Sequence, residues 1–324
     1  MNHRSNYLGV ILAAGRGSRM HDLCKHYPKP ILPIGNKPII VHQIELMRSL
    51  GIKEIVVLLG HKGFEISKVL GNGSHFGVSI KYVEQSDCLG IAHAVGQIEP
   101  YVHKPFLLFL GDIYFFADNI QDILQKFEQQ GGGGVLATKL EDDMSAICRN
   151  YSIIQDSEGR VIRVIEKPRY VTNNLKGVGL YLFDLHIFDA IRRTPRTAMR
   201  NEYELTDSIQ VFIDDGNYVG TANVVTDDLN VTYPSDLLSI NLKILRDNDL
   251  DTLIGAGSDI HPDCQIINSV VGENVTIAEP CIIRDSMIFP FVQITSKCAV
   301  EKSIITPETT IRCNLRSEPH VELR

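Results

Sequence analysis

YLGVILAAGRGSRM (residues 7–20) joins two patterns end to end. Residues 7–14 form a continuous apolar run of the length of one buried strand, closed by Gly15. Gly15 and Gly17 flank Arg16, and Arg19 follows, where the chain must leave the strand. Such a turn has three readings: a tight strand-to-helix connection, a dinucleotide-binding loop, or a cradle for a polyphosphate. A dinucleotide loop needs GxGxxG and a ribose-binding acid about 20 residues on, and here Met20 holds the third glycine position. The polyphosphate reading gains support from what comes next. Glycines let backbone N–H groups approach phosphate oxygens closely. Arg16, Arg19, Lys25 and Lys29 fall within fourteen residues, opposed only by Asp22. Arg19 is suited to a bidentate grip on phosphate and Lys29 to acting as a point charge. The GxxxxGK[ST] phosphate loop is a different pattern and is not what stands here.

Outward from this stretch, residues 7–240 alternate strand-like and helix-like segments. PIIVHQIELMRSLG (38–51) has helical spacing through Ile39, Ile40, Ile44, Met47 and Leu50, with Pro38 near its start and Gly51 at its end. EIVVLLG (54–60), VSIKYV (78–83) and FLLFLGD (106–112) read as strands, with helical stretches near 62–70 and 89–98. This alternation predicts a mainly parallel sheet flanked by helices. Ligands of such sheets bind beyond the carboxyl ends of the strands. Asp112 and the glycine turn after Ala14 both fall there.

From residue 255 the period changes. Aliphatic residues recur at Ile260, Ile266, Val271, Ile277, Ile283, Ile288, Ile294, Val300, Ile305 and Ile311, and the spacings of 6, 5, 6 sum to a period of 17. Ser269, Ser286 and Ser303 obey the same period. Neither 3.6 nor 2 explains this. An imperfect hexapeptide repeat does, with three short strands per triangular coil and about three coils. A β-sandwich is the other way to use such short strands, and the aligned serines favour the coil. SDLLSINLKIL (235–245) reads as a helix joining the halves, and residues 312–324 as a polar, loosely held end.

The 324 residues accommodate about two domains. With 44% hydrophobic and 22% charged residues, the composition is that of a soluble globular protein rather than a disordered or collagen-like one. The net charge of −7 speaks against a protein that coats nucleic acid. No apolar run approaches the ~18–20 residues of a membrane span. The apolar stretch after Arg4 is only strand-long and RGSRM follows at once, so it is not read as a signal peptide. The seven cysteines form no CxxC and no even framework, which suits reduced thiols in a cytoplasmic protein.

LAAGRGSRM (12–20) with PKPILPI (28–34) resembles the signature of the sugar-1-phosphate nucleotidyltransferases. The resemblance continues in order through EQSDCLGIAHAV (84–95), FLGD (109–112), VIEKP (164–168), GVGLYLF (177–183), EYELTDSIQ (202–210) and LNVTYPSDLL (229–238). With the C-terminal repeat it covers nearly the whole chain. Within the family, the sequence is most similar to long-form glucose-1-phosphate thymidylyltransferases, which carry a C-terminal left-handed β-helix. The resemblance implies an α/β, Rossmann-like nucleotidyltransferase domain with a mainly parallel mixed sheet at residues 1–250. A short left-handed β-helix with a polar tail would fill residues 251–324.

The implied reaction joins a nucleoside triphosphate, dTTP or UTP, to a sugar 1-phosphate such as glucose 1-phosphate, releasing pyrophosphate. The nucleophile is already an anion, so no general base is needed. The protein must align two anions and neutralise charge at the α-phosphate, a task suited to Mg²⁺. The resemblance implies catalytic roles for Arg19, Lys29, Asp112 and Lys167. It gives Ala14, Gly15, Gly17, Gln85 and Gly90 to the nucleotide. It gives Lys167 to the sugar phosphate, Glu166 to the sugar hydroxyls and Gly179 to admitting the sugar, with Asp112 and Asn230 for the metal. Gln85 offers both a donor and an acceptor to a thymine or uracil edge.

Each of these residues also has a plain structural reading. A carboxylate after a strand is often a helix cap, Glu166–Lys167 could be a surface ion pair before Pro168, and Gln85 a solvated amide. Two departures from the family stand out. Asn230 replaces an Asp, with Asp228 the nearby substitute, and Ile113 stands where relatives often have Asn. They keep open a catalytically weak paralogue that binds nucleotide sugars as a regulatory subunit. An acyltransferase built on the β-helix is disfavoured, since about three coils are too few. The tail reads instead as an oligomerisation or packing module. His93 reads as a packing residue.

Overall fold

Strand Leu8–Ala13 is buried along nearly its whole length, because parallel neighbours cover both of its edges. It pairs with Glu54–Leu59 on one side and Phe106–Leu110 on the other, and Glu54–Leu59 pairs in parallel with Ser79–Glu84. Gly9 sits where a β-carbon would fall 2.5 Å from the Met47 sulfur, so glycine lets helix Ile39–Ser49 lie close against the strand. Ile40, Ile44 and Met47 on that helix are fully buried, each contributing roughly 1.5–3 kcal/mol of apolar burial. The chain leaves the helix through Gly51 at φ 78°, a left-handed position that glycine takes without strain.

The computed structural model describes residues 6–20, 22–198 and 200–315. Among these the chain divides into two compact units. The first comprises residues up to Arg16, Pro28–Pro30 and Ile40–Asp228, and the second Gly17–Tyr27, Ile31–Ile39 and Leu229 onward.

In the first unit one nine-stranded mixed sheet carries the core. Its N-terminal half is parallel, as the alternation predicts. The alternation stops after Leu110. Strand Leu175–Phe183 runs antiparallel beside Phe106–Leu110 and also pairs with Gly134–Leu140 and Tyr151–Gln155. Val161–Glu166 extends the sheet antiparallel to Tyr151–Gln155, and Val219–Ala222 lies parallel to Gly134–Leu140. A β-carbon on Gly177 would lie 1.9 Å from the Tyr151 ring, so glycine admits that ring over the strand.

In the second unit the period of 17 is the pairing register itself. Val270 pairs with Met287 and Met287 with Ile304, Ile260 with Ile277 and Ile277 with Ile294, and Ile266 with Ile283 and Ile283 with Val300, all in parallel. Three strand columns result, the faces of a short parallel β-helix. Val271, Ile277, Ile283 and Ile288 are fully buried, whereas Ile260, Ile266, Ile294 and Val300 are half-buried. A short solenoid has few middle coils and two end coils, and the difference follows from that.

The aligned serines form a column. Each hydroxyl donates to the carbonyl two residues back, at 2.7–2.8 Å. The Ser269 and Ser286 hydroxyls also accept the backbone N–H of the serine one coil later, at 3.0 and 3.1 Å. Before each serine stands a left-handed residue, Asn268, Asp285 or Lys302, which makes the corner. Ile311 departs from the expected ladder. Thr310–Arg312 folds back antiparallel on Ser303–Ile305, pairing Ile311 with Ile304 and closing the coil. Of the end expected to be loosely held, Cys313 is buried and donates its N–H to Lys302 O, and residues 316–324 lie outside the described residues.

Helix Pro234–Asp247 precedes the coil, with Pro234 in its first turn and the Asp236 carboxylate accepting the N–H groups of Thr232 and Tyr233. Its fully buried Asn241 accepts from Gly35 N and donates to Pro33 O, fixing the Pro33–Pro38 hairpin. Asn36 and Tyr27 reach the coil itself, through Val271 O and the Glu308 carboxylate.

Candidate active site

Three parallel strands of the first unit end in glycine-bearing turns. After Leu8–Ala13 come buried Ala14 and exposed Gly15 and Arg16. A β-carbon on Gly60 would lie 2.6 Å from Ala14 O, and one on Gly111 would lie 2.8 Å from Leu12 O. Gly60 and Gly111 therefore let the neighbouring turns close on the Ala14 turn, and Gly111 N–H binds Leu12 O at 2.9 Å. Gly15 is different: its β-carbon would meet no atom within 4 Å, so nothing in the chain's own packing demands glycine there. In the second unit, Gly17 at φ 63° opens the short turn Ser18–Met20. Met20 is buried under it and Arg19 is exposed.

Lys29 and Asp112, 83 residues apart, are brought together: Lys29 Nζ lies 3.2 Å from Asp112 Oδ2. The lysine is mostly buried at 14% side-chain exposure and the carboxylate is open at 45%. Buried Gln43 holds the turn around Asp112, donating from Nε2 to both Leu110 O (2.8 Å) and Ile113 O (2.9 Å). Nothing in the sequence pattern marks Gln43 beyond its place on the helix.

Asp112, one of the two expected metal ligands, presents an open carboxylate paired with Lys29. Among the described residues no group of three or more His, Cys, Asp or Glu side chains is arranged to hold a metal. Asp228 does not fit that role. Its side chain is 1% exposed and Lys176 Nζ lies 2.6 Å away. Asn230, at the end of strand Val225–Asn230, is exposed.

A second cluster gathers at the end of Val161–Glu166. Arg200 donates to Glu166 Oε1 (3.3 Å) and to Glu204 Oε1 (2.9 Å), and Thr206 donates to Glu166 Oε2 (3.3 Å). Lys167 Nζ stands 3.7 Å from Glu166 Oε1, so the ion pair anticipated as the plain reading is present. Lys167 is held at φ 43°, a conformation unfavourable for lysine, with its N–H on Asn150 O at 2.7 Å. Burial, followed by the nearby Glu204 charge, pushes the Glu166 carboxyl above its usual range, while Lys167 and Arg200 pull it back. Arg200 was not singled out from the sequence. Its signal was its place four residues before Glu204.

Two glycines have reasons other than those expected. A β-carbon on Gly179 would lie 2.5 Å from Ile113 Cδ1 and 2.8 Å from Leu110 Cδ1. The packing of Ile113, itself buried, accounts for this glycine without any sugar. A β-carbon on Gly90, at φ 114°, would lie 2.4 Å from Tyr203 O. The Tyr203 backbone there binds Leu89 O and Ala92 N, clamping residues 89–92.

Gln85 follows strand Ser79–Glu84 and is buried, its N–H on Leu59 O at 2.7 Å. Its Nε2 lies 2.8 Å from His93 Nδ1. His93 is thus more than a packing residue: it also hydrogen-bonds a candidate site residue.

A buried charge network lies beyond these residues. Lys176 contacts Asp228 and Glu141, and Lys139 contacts Glu141 and Asp227 at 3.1 Å each.

Residues 8–244 match the nucleotidyl transferase family, and residues 250–321 match the GMPPB C-terminal domain. The low-salt glycan biosynthesis nucleotidyltransferase Agl11 of Haloferax volcanii is 35% identical over 246 residues, spanning 75% of this chain and 67% of that one. The UTP–glucose-1-phosphate uridylyltransferase AglF of the same organism is 30% identical over 227 residues, 70% of this chain and 92% of its own length. A candidate glucose-1-phosphate thymidylyltransferase from Bacillus anthracis, solved with sucrose, superposes with a TM-score of 0.66 at 28% identity. It covers 74% of this chain and 96% of that one.

Proposed function

The chain belongs to the nucleotidyl transferase family, and from that premise we propose that it condenses a nucleoside triphosphate with a sugar 1-phosphate, releasing pyrophosphate. The observation that carries this reading is the Lys29–Asp112 pair at the ends of the parallel strands. A lysine and a carboxylate held together there can bind phosphate and a cation side by side.

The chemistry asks little beyond alignment. The sugar phosphate oxygen attacks the α-phosphorus, the bond to pyrophosphate breaks, and no proton need move. Lys29 neutralises charge as it builds on the phosphates, and the Gly15 and Gly17 turns offer backbone N–H groups. Arg19 would add a bidentate contact. Lys167 and Arg200 would hold the sugar phosphate, with Glu166 toward the hydroxyls. Gln85 would meet the base. Mg²⁺ held by Asp112, with Asn230 as second ligand, would supply charge neutralisation at the α-phosphate.

The finer assignment is dTTP or UTP with glucose 1-phosphate, supported by relatives named as thymidylyl- and uridylyltransferases. Residues 1–250 would carry the chemistry and residues 251–324 would serve oligomerisation. The seven cysteines, odd in number and without a CxxC pair, support a cytoplasmic setting. Pyrophosphate release from a panel of nucleotides and sugar 1-phosphates with Mg²⁺ tests the proposal, and no turnover with any pair overturns it. Light scattering showing a strict monomer at micromolar concentration overturns the oligomer. The buried Ile113 and the exposed Asn230 favour one second reading, a nucleotide-sugar-binding regulatory subunit. Tight nucleotide binding without turnover would select it.

A further inference from the structure

We propose that His93 is a positioning residue for base selection. Its Nδ1 accepts from the Gln85 amide nitrogen and turns the amide so that Oε1 is the atom offered to the base. The inference rests on the nucleotidyltransferase reading above, in which Gln85 meets the base.

An amide side chain can exchange its oxygen and nitrogen by a half-turn that costs almost nothing sterically, so the partner at one end decides what the other end presents. Everything else about this pair is fixed. Gln85 is buried and tethered through its backbone to Leu59 O. His93 sits on helix Ile91–Ile98 between buried Ala92 and Ala94. The Tyr203 backbone clamps the start of that helix through Leu89 O and Ala92 N. The imidazole stacks on the Tyr203 ring, with centroids 6.2 Å apart and planes 22° apart, and the Arg196 guanidinium lies 5.1 Å from the same ring. Gln85 Nε2 lies 2.8 Å from His93 Nδ1, and among the described residues Oε1 takes no hydrogen bond.

An outward oxygen is an acceptor. It matches a base whose pairing edge carries a ring N–H, as uracil and thymine do at N3. It opposes cytosine, which presents a lone pair at N3. Without an acceptor at position 93 the amide would serve both bases, and with a donor there it would present its NH₂ group and favour cytosine. His93 thus acts on the nucleotide through Gln85.

Three variants separate these cases: His93→Glu keeps only an acceptor, His93→Lys only a donor, and His93→Phe neither. The readout is kcat/KM for UTP divided by that for CTP with the same sugar 1-phosphate. The Glu variant should keep the native ratio within about threefold. The Lys variant should lower it by about tenfold or more, the effect of one mispaired buried group, and the Phe variant should fall between. A structural role would depress both nucleotides alike, and an unmoved ratio in the Lys and Phe variants overturns the proposal. Nitrogen-15 NMR of the His93 ring in the native protein decides independently of variant folding. A bare Nδ1 with a protonated Nε2 is expected, and a protonated Nδ1 overturns the assignment. Should the native protein turn over no nucleotide, the nucleotidyltransferase reading fails. The ring nitrogens and the relative Kd of UTP and CTP still decide on His93.

Discussion

Replacing Lys176 with Met would leave a buried carboxylate without its cation. Lys176 Nζ stands 2.6 Å from Asp228 Oδ1 and 3.1 Å from Glu141 Oε2. Lys176 donates a hydrogen bond to Glu141 and forms an ion pair with Asp228. With Lys139 and Asp227 the network holds two lysines and three carboxylates. Its formal charge is −1, and the variant makes it −2. Asp228 is 1% exposed at its side chain, so water does little to screen the loss. Removing one partner of such a pair costs about 3–5 kcal/mol. For a unit of this size that is roughly 6–20 °C in Tm.

The pH dependence follows from Asp228. Burial is the largest influence and pushes its carboxyl above the usual range even with Lys176 present. A carboxyl raised in the folded state binds more protons folded than unfolded. The burden it places on the fold is absent below the unfolded pKa and grows as pH rises through the folded one. Without Lys176 the folded value rises further. Urea melts of Lys176→Met at pH 7 and pH 5 should therefore show the larger deficit at pH 7, and Lys176→Met/Asp228→Asn should recover most of it. A deficit below about 1 kcal/mol, or an equal deficit at both pH values, would refute the reasoning, because it would mean that solvent reaches Asp228.

Asp112→Ala should cut pyrophosphate release by at least about 10²-fold, the scale of one lost transition-state contact, with Tm nearly unchanged because the side chain is half-exposed. An equally large fall in Tm would point to a structural role instead. Ser286→Ala removes the acceptor of Ser303 N–H at 3.1 Å and the donor to Arg284 O at 2.7 Å. Urea unfolding should show a cost of about 1–3 kcal/mol, and none at all would mean that water takes the hydroxyl's place. Burial and the neighbouring Cys281 thiol push the Cys298 thiol up to about 12. Disulfide-exchange labelling at pH 8 should modify exposed Cys88 well before Cys298, and equal rates would contradict that environment.

What the sequence made legible was periodic. The run ending at Ala14 is a strand because parallel neighbours cover it, and Ile40, Ile44 and Met47 mark a helix because one face is buried. The period of 17 needs no partner outside the coil and survives as the pairing register. The antiparallel half of the sheet was less legible, because Leu175–Phe183 takes its direction from strands distant in sequence. The site divides the same way. Lys29 and Asp112 stand out by type and position, and the fold brings them together. Gln43, Arg200 and the His93–Gln85 bond depend on where a helix lands, which no local pattern states. The closeness of Gly179 to Ile113 was not legible either, since a glycine does not say in the sequence which atom its missing side chain admits.

The serine column also works as a ruler. Each hydroxyl of Ser269 and Ser286 meets an amide one full circuit later, so the circuits must be equal in length to keep every rung in step. A single residue inserted at an arm of the triangle would throw all later serines out of phase, whereas a whole added circuit would simply lengthen the column. An added circuit of seventeen residues would keep every rung in register and raise the end of the coil by about 4.8 Å, the spacing between neighbouring strands.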